Sequence, residues 1–395
     1  MSCFSRRALV GLLALAAVFV VAYGTLGSRY GLPLVGGEDV SGEWMMEGYN
    51  GARTRAVEAN ITLPLRESRE LPLQKVIASG SPVAIARGIA LVEAERTLRA
   101  VDLRSGRERW SFPVNGTYLS PATDGDGVFL KAESANRGQI FGLDLDSGAQ
   151  RWVFTPKRVS SADQGFVGGH ITSPAISGDA VLVASGKELY ALNKRTGKPL
   201  WEVRMTEWVT AAPAIGNGRV YLADSKFVYA VEEKTGKLVW KKPAAFSLYF
   251  APIVSGESVY IRDGKKIVAL AAADGAKRWE NLIGGENLIP GAVSGGRLLV
   301  VSTGSMVALD TRNGREIWRY KQPNYISLPA VAGTKAFLLA GATGQTSLHA
   351  IDMATGKSSW SQRIPELAPA APVVAGEAVY VGTSDGRLLG FSGSP

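Results

Sequence analysis

The sequence predicts an all-β fold: an eight-bladed β-propeller of four-stranded antiparallel blades. The ring is closed by N- and C-terminal strands and follows an N-terminal export or anchor segment. Three observations predict it. A tryptophan motif recurs at a nearly constant period, short apolar runs separated by glycine turns fill each period, and no useful helical periodicity follows the leader. Hydrophobic residues make up 46% of the 395, and 46 residues are glycine, which is typical of many short strands joined by tight turns.

The first part of the chain, residues 1–27, has the pattern of an export signal. Arg6 and Arg7 precede the uncharged apolar residues 8–27, as in a secretory signal peptide. Cleavage after Gly24 would remove this segment, but its 20 uncharged residues also suffice to span a bilayer as a signal anchor. The pattern leaves both fates open. In either case we expect an extracytoplasmic protein, in the periplasm or at the cell surface, with membrane association through residues 8–27 if they are retained.

The rest of the chain divides into a lead-in segment, 28–70, and the propeller itself, 71–395. Cys3 is the only cysteine, which excludes a disulfide framework and a cysteine-rich metal site. The net charge of +9 comes from scattered basic residues without a long run. We therefore expect a solvated basic surface and no nucleic-acid partner.

Seven copies of one motif define the repeat. Each has a small residue, usually an acidic or polar residue two positions later, a Thr/Ser/Asp/Asn-Gly step, and a tryptophan four residues after the glycine. The tryptophans, spaced 42, 49, 39, 39, 39 and 42 residues apart, are Trp110, Trp152, Trp201, Trp240, Trp279, Trp318 and Trp360. The glycines are Gly106, Gly148, Gly197, Gly236, Gly275, Gly314 and Gly356. Glycine permits the positive φ of a tight turn, and we expect the indoles to pack between blades as a structural docking motif.

Each repeat unit contains four short strands, and there are eight units. The strand-opening positions are Pro82, Pro121, Pro174, Pro213, Pro252, Gly291, Pro329 and Pro372. The eighth unit ends at residues 390–395 without a tryptophan strand. We expect residues 71–78 to supply that strand, because pairing the two chain ends closes the ring and removes exposed strand edges.

These repeats resemble the pyrroloquinoline quinone (PQQ)-like repeat with its tryptophan-docking motif. Residues 230–240 and 308–318 are close matches, and the resemblance covers residues 71–395. Residues 44–55, WMMEGYNGARTR, are similar to the lead-in often found before such propellers. The resemblance implies an eight-bladed ring belonging to one of two branches of the family.

The first branch, the PQQ-dependent dehydrogenases, binds the quinone and a metal near the central axis, under a pair of adjacent cysteines. This chain has no cysteine after Cys3 and no recognisable metal set. We therefore assign no catalytic and no metal residues, and any cofactor-binding residues stay unknown. The second branch is non-catalytic and BamB-like, a scaffold of outer-membrane β-barrel assembly. Its members are lipid-anchored through a cysteine after the signal, which this chain lacks.

Other chemistry finds little support in the sequence. His170 and His349 have no metal-ligand spacing, and the carboxylate pairs 124/126 and 144/146 fall at turns, where calcium binding is the alternative to a turn role. Three stretches could contact partners: 154–172, the lengthened hairpin 131–139, and the aromatic cluster 246–250, which could equally be core. The candidate partner residues of the first are Lys157, Arg158, Phe166 and His170.

The sequence thus favours a non-enzymatic extracytoplasmic scaffold that binds envelope proteins during cell-envelope or outer-membrane protein assembly. We expect a monomer without a cofactor. The alternative is a PQQ- or small-ligand-binding propeller, either a quinoprotein dehydrogenase-like enzyme or a sensor. A set of Glu, Asn and Asp side chains converging at the ring centre would distinguish this alternative.

Overall fold

The computed structural model describes twelve stretches of the chain between residues 43 and 393. They are 43–46, 48–72, 83–94, 96–114, 121–134, 137–156, 173–209, 211–244, 250–322, 325–342, 345–365 and 370–393. All of them belong to one compact unit, 37–395. Across these stretches the regular structure consists of strands, and a helix able to cross a membrane is not found among them.

The strands form eight sheets, the blades, each built on four antiparallel strands that follow in sequence order in blades 1 to 7. Blades 1 to 4 contain β3–β6 (Ala84–Ala86, Ile89–Ala94, Thr97–Asp102, Glu108–Pro113), β7–β10 (Ala122–Thr123, Gly127–Ser134, Arg137–Asp144, Gln150–Phe154), β11–β14 (Ala175–Ser177, Ala180–Ser185, Glu188–Asn193, Pro199–Arg204) and β15–β18 (Ala214–Gly216, Arg219–Ala223, Phe227–Glu232, Leu238–Pro243).

Blades 5 to 8 complete the ring. They contain β19–β22 (Ile253–Ser255, Ser258–Asp263, Lys266–Ala271, Lys277–Leu282), β23–β26 (Ile289–Ser294, Arg297–Ser302, Ser305–Asp310, Glu316–Lys321), β28–β31 (Ala330–Ala332, Lys335–Ala342, Gln345–Asp352, Ser358–Ile364), and β32–β34 (Val373–Ala375, Ala378–Gly382, Arg387–Gly393) with β2 (Leu65–Pro72). Two short strands, β1 (Ala56–Val57) and β27 (Tyr325–Ile326), add to blade 7. This is the eight-bladed propeller that the repeats predict.

Strand order gives the ring two different ends. The turns between first and second strands and between third and fourth strands lie at one end, which we call the turn face. The turns between second and third strands and the connections between blades lie at the other end, the loop face. The seven motif glycines are in third-to-fourth strand turns, so the sequence repeat recurs around the outer rim of the turn face.

The closing strand differs from the one expected. Residues 65–72, rather than 71–78, form the outer strand of blade 8, where β2 pairs antiparallel with β34 from Leu65 opposite Gly393 to Pro72 opposite Arg387. Only residues 71 and 72 are shared, and residues 73–78 lie outside the described residues. The apolar run at residues 71–78 favoured a strand that begins later in the sequence. An outer strand exposes most of its side chains, however, and in LRESRELP Leu65 and Leu71 are the side chains that are buried.

The apolar core lies between blades rather than in one centre. One buried cluster, for example, joins Leu91 and Trp110 of blade 1 to Leu130 and Leu143 of blade 2. Side chains of the inner strands are almost completely buried, and the outer strands alternate between buried and exposed positions. The fold therefore leaves three places where chemistry or binding could occur: the axis, the two faces and the outer rim.

Candidate functional site

The motif tryptophans lie at the junctions between successive blades. In the described residues, six indole N–H groups donate to a backbone carbonyl in the third-to-fourth strand turn of the next blade, at 2.8–3.0 Å. The donor–acceptor pairs are Trp110–Leu145, Trp152–Lys194, Trp201–Glu233, Trp240–Ala272, Trp279–Thr311 and Trp318–Met353. Each acceptor follows the acidic or polar motif position by one residue. The motif therefore pairs a donor in one repeat with an acceptor in the next.

The motif glycines leave no room for a side chain. Gly197 has a φ of +68°, and a Cβ added there would lie 2.5 Å from the Trp152 ring. The corresponding positions Gly148, Gly236, Gly314 and Gly356 meet the preceding blade's tryptophan at 2.4–2.6 Å. Each glycine therefore serves two requirements, a left-handed turn and direct contact with an indole face.

The turn carboxylates of blade 2 are engaged by basic side chains. Arg151 bridges Asp126 at 2.8 Å and Asp144 at 2.7 Å, while Lys194 and Arg87 pair with Asp124 and Asp146 respectively. The hydrogen bond from Arg151 holds the pKa of the Asp144 carboxyl at about 2, below its ordinary 3.8. These four carboxylates therefore face cationic side chains, which supports the turn role over the calcium alternative.

The chain itself lines the axis-facing edges of the inner strands. Residues 44–57, which we call the axial segment, bond to the inner strands of six blades through backbone carbonyls. The acceptor–donor pairs, at 2.7–3.0 Å, are Trp44–Ile85, Met45–Thr123, Gly51–Ile215, Ala52–Val254, Thr54–Val293 and Arg55–Val331. Their order follows the order of the blades, so the axial segment travels around the axis in the same sense as the chain. These N–H groups lie on the edges of the inner strands that face the axis, where no further strand of the blade pairs with them.

Two buried arginines extend these contacts to the remaining two blades. The Arg53 guanidinium, 3% exposed, donates to the carbonyls of Pro213 and Ser173, at 2.8 and 3.1 Å. Arg55, 7% exposed, donates to those of Pro329 and Pro372, at 2.8 and 3.3 Å. Ser173 and Pro372 immediately precede the inner strands of blades 3 and 8. The axial segment therefore contacts all eight blades.

The backbone of the axial segment is held in unusual conformations. Arg53 and Arg55 have φ values of 60° and 50°, in the left-handed region that disfavours residues with a Cβ. The Arg55 guanidinium also lies over the Trp44 ring, 5.4 Å from its centroid. Trp44 is itself 1% exposed. Such backbone persists where surrounding contacts fix it on several sides, as the hydrogen bonds to the inner strands do here.

The axis-facing edges of the inner strands are not free to hold a quinone. The resemblance to PQQ enzymes implies a cofactor and a metal near the axis, but there the inner-strand N–H groups and the carbonyls that open the strands already bond to the axial segment. Among the described residues, no three His, Cys, Asp or Glu side chains cluster closely enough to hold a metal ion. We therefore assign no residue of the axis to a cofactor.

The closing junction uses two residues in place of a tryptophan. Blade 8 has no tryptophan strand, and its outer strand β2 brings Leu71 to 3.1 Å from a Cβ added at Gly106. The carbonyl of Leu103, equivalent to the six indole acceptors, accepts a 2.8 Å hydrogen bond from Arg69 Nη1. Leu71 thus supplies the apolar contact and Arg69 the donor. Sequence reasoning missed this pair because it expected the closing strand at 71–78.

The remaining candidate residues are only partly described. Lys157, Arg158, Phe166 and His170 lie outside the described residues, as do residues 246–249 of the aromatic cluster. The lengthened hairpin is present as the eight-residue strands β8 and β9. His349 lies in β30 with its Nδ1 3.2 Å from the Tyr320 hydroxyl, and burial lowers its pKa. That position between blades 6 and 7 fits a structural histidine.

Comparisons with known proteins agree with this architecture. A family model described as outer membrane protein assembly factor BamB matches residues 66–165, 136–288, 225–340 and 283–394. The crystal structure of BamB from Moraxella catarrhalis is similar with a TM-score of 0.61 and 16% identity, over 83% of this chain and all of that one.

Two further similarities concern catalytic proteins. The quinohemoprotein alcohol dehydrogenase ADHIIG from Pseudomonas putida HK5 is similar with a TM-score of 0.70 and 12% identity, over 90% of this chain and 81% of that one. At such identities, both structural similarities show the fold alone. The serine/threonine-protein kinase AfsK of Streptomyces griseus is 32% identical over 135 residues, which are 32% of this chain. The match spans only 16% of the kinase's length.

Proposed function

The chain belongs to the family described as outer membrane protein assembly factor BamB, and from that premise we propose that it is a non-enzymatic, extracytoplasmic scaffold. In this proposal the propeller presents its loop face to envelope proteins during envelope or outer-membrane protein assembly. Its partners are proteins rather than small molecules or nucleic acid, and the ring acts as a rigid monomer.

One observation carries this proposal: the axial segment occupies the axis and contacts all eight blades. Ligand sites are concave and contain a few convergent polar groups. Here the polar groups of the axis converge on the chain's own backbone and on two of its arginines. Binding is therefore left to the faces and rim, where loops on a rigid scaffold commonly carry it.

A crosslinking pull-down tests the partner class. The tagged full-length chain is crosslinked in cells, and captured envelope proteins are identified after a high-salt wash. We expect capture to fall when the 157–172 connection is shortened to a glycine-serine link, and to fall in part for Phe166→Ala or for Lys157→Glu with Arg158→Glu. Arg104→Gln with Arg107→Gln, exposed on the turn face of blade 1, is the matched control. Recovery of the bait alone would contradict the proposal.

The proposed location depends on the N-terminal segment. We propose export through residues 1–27, followed either by cleavage after Gly24 or by retention of residues 8–27 as an anchor. Intact mass of the chain recovered from cells distinguishes the two fates. Protease added to spheroplasts should digest an extracytoplasmic propeller in both cases. Protection of the propeller until the cells are lysed would overturn this location.

A titration tests the quinone alternative separately from partner binding. The purified full chain is titrated with PQQ in the presence of Ca²⁺ and followed by quinone absorbance and by equilibrium dialysis. We expect no saturable binding, because the axial segment occupies the axis. Stoichiometric, saturable binding would favour a ligand-binding propeller instead.

A further inference from the structure

Blades 3 and 4 carry an unusual pair of turns on the turn face. Their third-to-fourth strand turns read RTGKPL and KTGKLV, and both continue directly into an outer strand. We define the basic-aliphatic patch by their exposed cations and aliphatic side chains. It consists of Arg195, Lys198, Leu200, Lys234, Lys237 and Leu238.

The two turns form one continuous surface. Trp201 of blade 3 donates to the Glu233 carbonyl at 3.0 Å, and its ring lies 2.6 Å from a Cβ added at Gly236. The blade 4 turn therefore packs directly on the outer strand of blade 3, immediately beside Leu200. Equivalent positions in adjacent repeats point to the same face, so the four cations project together from the rim.

In these two turns the basic side chains are more exposed than the acidic ones. In the part of the chain that the structure describes, the four cations of the patch are exposed and none is within ion-pair distance of a carboxylate. The acidic residues of the blade 4 turn are partly buried and each accepts a hydrogen bond, Glu232 from the exposed Thr235 hydroxyl of the same turn and Glu233 from the Ser177 hydroxyl. The exposed charged side chains of these two turns are therefore cationic, and Glu202, two residues after Leu200, is the nearest exposed carboxylate in sequence.

Turns in other blades carry less of this combination, and the nearest equivalent is Arg315 beside Ile317 in blade 6, where Ile317 is 42% exposed. Arg312 of blade 6 is paired with Asp310, and Lys277 of blade 5 is paired with Glu280. The aliphatic side chains of the patch are also unusually open, with Leu200 54% and Leu238 50% exposed. Unpaired cations lie beside exposed aliphatic side chains on these two hairpins. Such a surface suits a partner that carries negative charge with an apolar layer close beneath it.

We propose that the basic-aliphatic patch docks on the anionic surface of a lipid bilayer. Lysine and arginine near such a surface are attracted to acidic headgroups, and adjacent aliphatics gain by entering the headgroup–acyl boundary. Protein interfaces are instead depleted in lysine and enriched in aromatics. The patch holds three lysines and no aromatic residue. Docking of the turn face directs the loop face away from the membrane.

The test reads contact at the patch itself, because residues 8–27 are expected to bind lipid on their own. The full chain carrying Cys3→Ser and Leu200→Cys is labelled with an environment-sensitive fluorophore. It is then reconstituted with vesicles of phosphatidylcholine alone or with phosphatidylglycerol added. Ser359→Cys, exposed at the equivalent position of blade 7 beside a single turn cation, Lys357, is the matched site. Quenching by aqueous iodide reports shielding of the fluorophore.

We expect iodide quenching at position 200 to fall several-fold on anionic vesicles only. High salt should reverse the loss, and so should replacement of the four cations by glutamine. Position 359 should stay accessible throughout.

Equal quenching at both positions, or shielding that survives the glutamine variant, would overturn the proposal. Shielding produced by delipidated envelope proteins, and not by vesicles, would assign the patch to a protein partner instead. Melting temperatures of the variants confirm that they fold, and the pull-down of the scaffold proposal is unaffected by either outcome.

Discussion

At the scale of single residues, the blade junctions depend on motif glycines. The indole of the preceding blade occupies the space that a side chain at the glycine would need. The φ of +68° at Gly197 and the 2.5 Å approach to Trp152 are separate constraints on the same residue. An alanine there must adopt a left-handed backbone and also displace the ring. The two costs can be separated experimentally, because the same blade offers a glycine that meets only the first constraint.

We predict that Gly197→Ala lowers the free energy of unfolding by about 2–5 kcal/mol, from the left-handed backbone together with overpacking against the ring. Gly178→Ala is the matched control, because its φ is +53° but nothing lies within 4 Å of an added Cβ. It should cost only about 1–2 kcal/mol. Guanidinium denaturation of the two variants provides the comparison. Equal losses would mean that contact with Trp152 contributes nothing to the junction.

A second residue-scale prediction concerns acid sensitivity. The pKa of Asp144 is held at about 2 in the folded protein, chiefly by Arg151. Its stabilising effect is therefore fully present above the ordinary pKa of 3.8 and is lost as the pH falls from about 4 toward 2. Asp144→Asn should lose this pH dependence while keeping the turn, since Asn193 accepts the same backbone hydrogen bonds in blade 3.

Denaturation of the parent protein and of Asp144→Asn between pH 5 and pH 2 tests this sign. The difference in stability between the two should shrink as the pH falls. A difference that stays constant across the range would show that the Arg151 pair does not titrate with folding. The effect on the whole protein is small, because both side chains are largely solvated.

At the scale of elements, the ring closes through a strand that joins the two chain ends and lacks a tryptophan. Its Arg69–Leu103 hydrogen bond and its Leu71–Gly106 contact occupy the places that an indole fills at the other junctions. The strand has no turn connecting it to β34, so only side chains and the strand ladder hold it in place. This makes β2 the element where a single side chain should matter most for closure.

We predict that Arg69→Met destabilises the fold by about 1–3 kcal/mol, because it leaves the buried Leu103 carbonyl without this donor. Arg66→Met, exposed on the same strand, should change stability by less than about 0.5 kcal/mol. Denaturation measures both, and limited proteolysis should show earlier cleavage near β2 for Arg69→Met alone. Identical cleavage of the two variants would mean that Arg69 does not hold the closing strand.

The elements show what sequence reasoning could reach. The eight blades follow from the period, because each repeat carries its own turns and its own tryptophan. The closing strand was misplaced by six residues, since the apolar run at 71–78 looks more like a strand than LRESRELP does. The axial segment was recognised as a lead-in, but its position was not. Trp44, Arg53 and Arg55 bond to residues more than 40 positions away, and no local pattern indicates such partners.

At the scale of the whole molecule, the axial segment makes one network of eight otherwise separate sheets. Each blade contacts mainly its neighbours, as in other repeat proteins, and Arg53 and Arg55 each connect a pair of neighbouring blades to the axial segment. The pairs are blades 3 and 4 for Arg53, and blades 7 and 8 for Arg55. Loss of such a residue should therefore be felt by the ring as a unit.

We predict that Arg55→Met lowers the free energy of unfolding by about 3–5 kcal/mol, because it leaves two buried carbonyls without their charged donor. Arg55→Lys, which can replace only part of the paired donation, should fall between this variant and the parent protein. Arg104→Met, exposed on a turn, is the control. Thermal unfolding followed by circular dichroism should show one cooperative transition at a lower temperature. A transition confined to the first residues, with the blades unaffected, would contradict the prediction.

The axial segment also sets an order of events during synthesis. Arg55 leaves the ribosome early, but its partner Pro372 follows 317 residues later. At the elongation rates of cells, the interval is on the order of tens of seconds. Throughout that time the inner-strand partners of residues 44–57 do not all exist, so the native axis cannot form while the chain is growing. Completion of the fold therefore waits for the last blade.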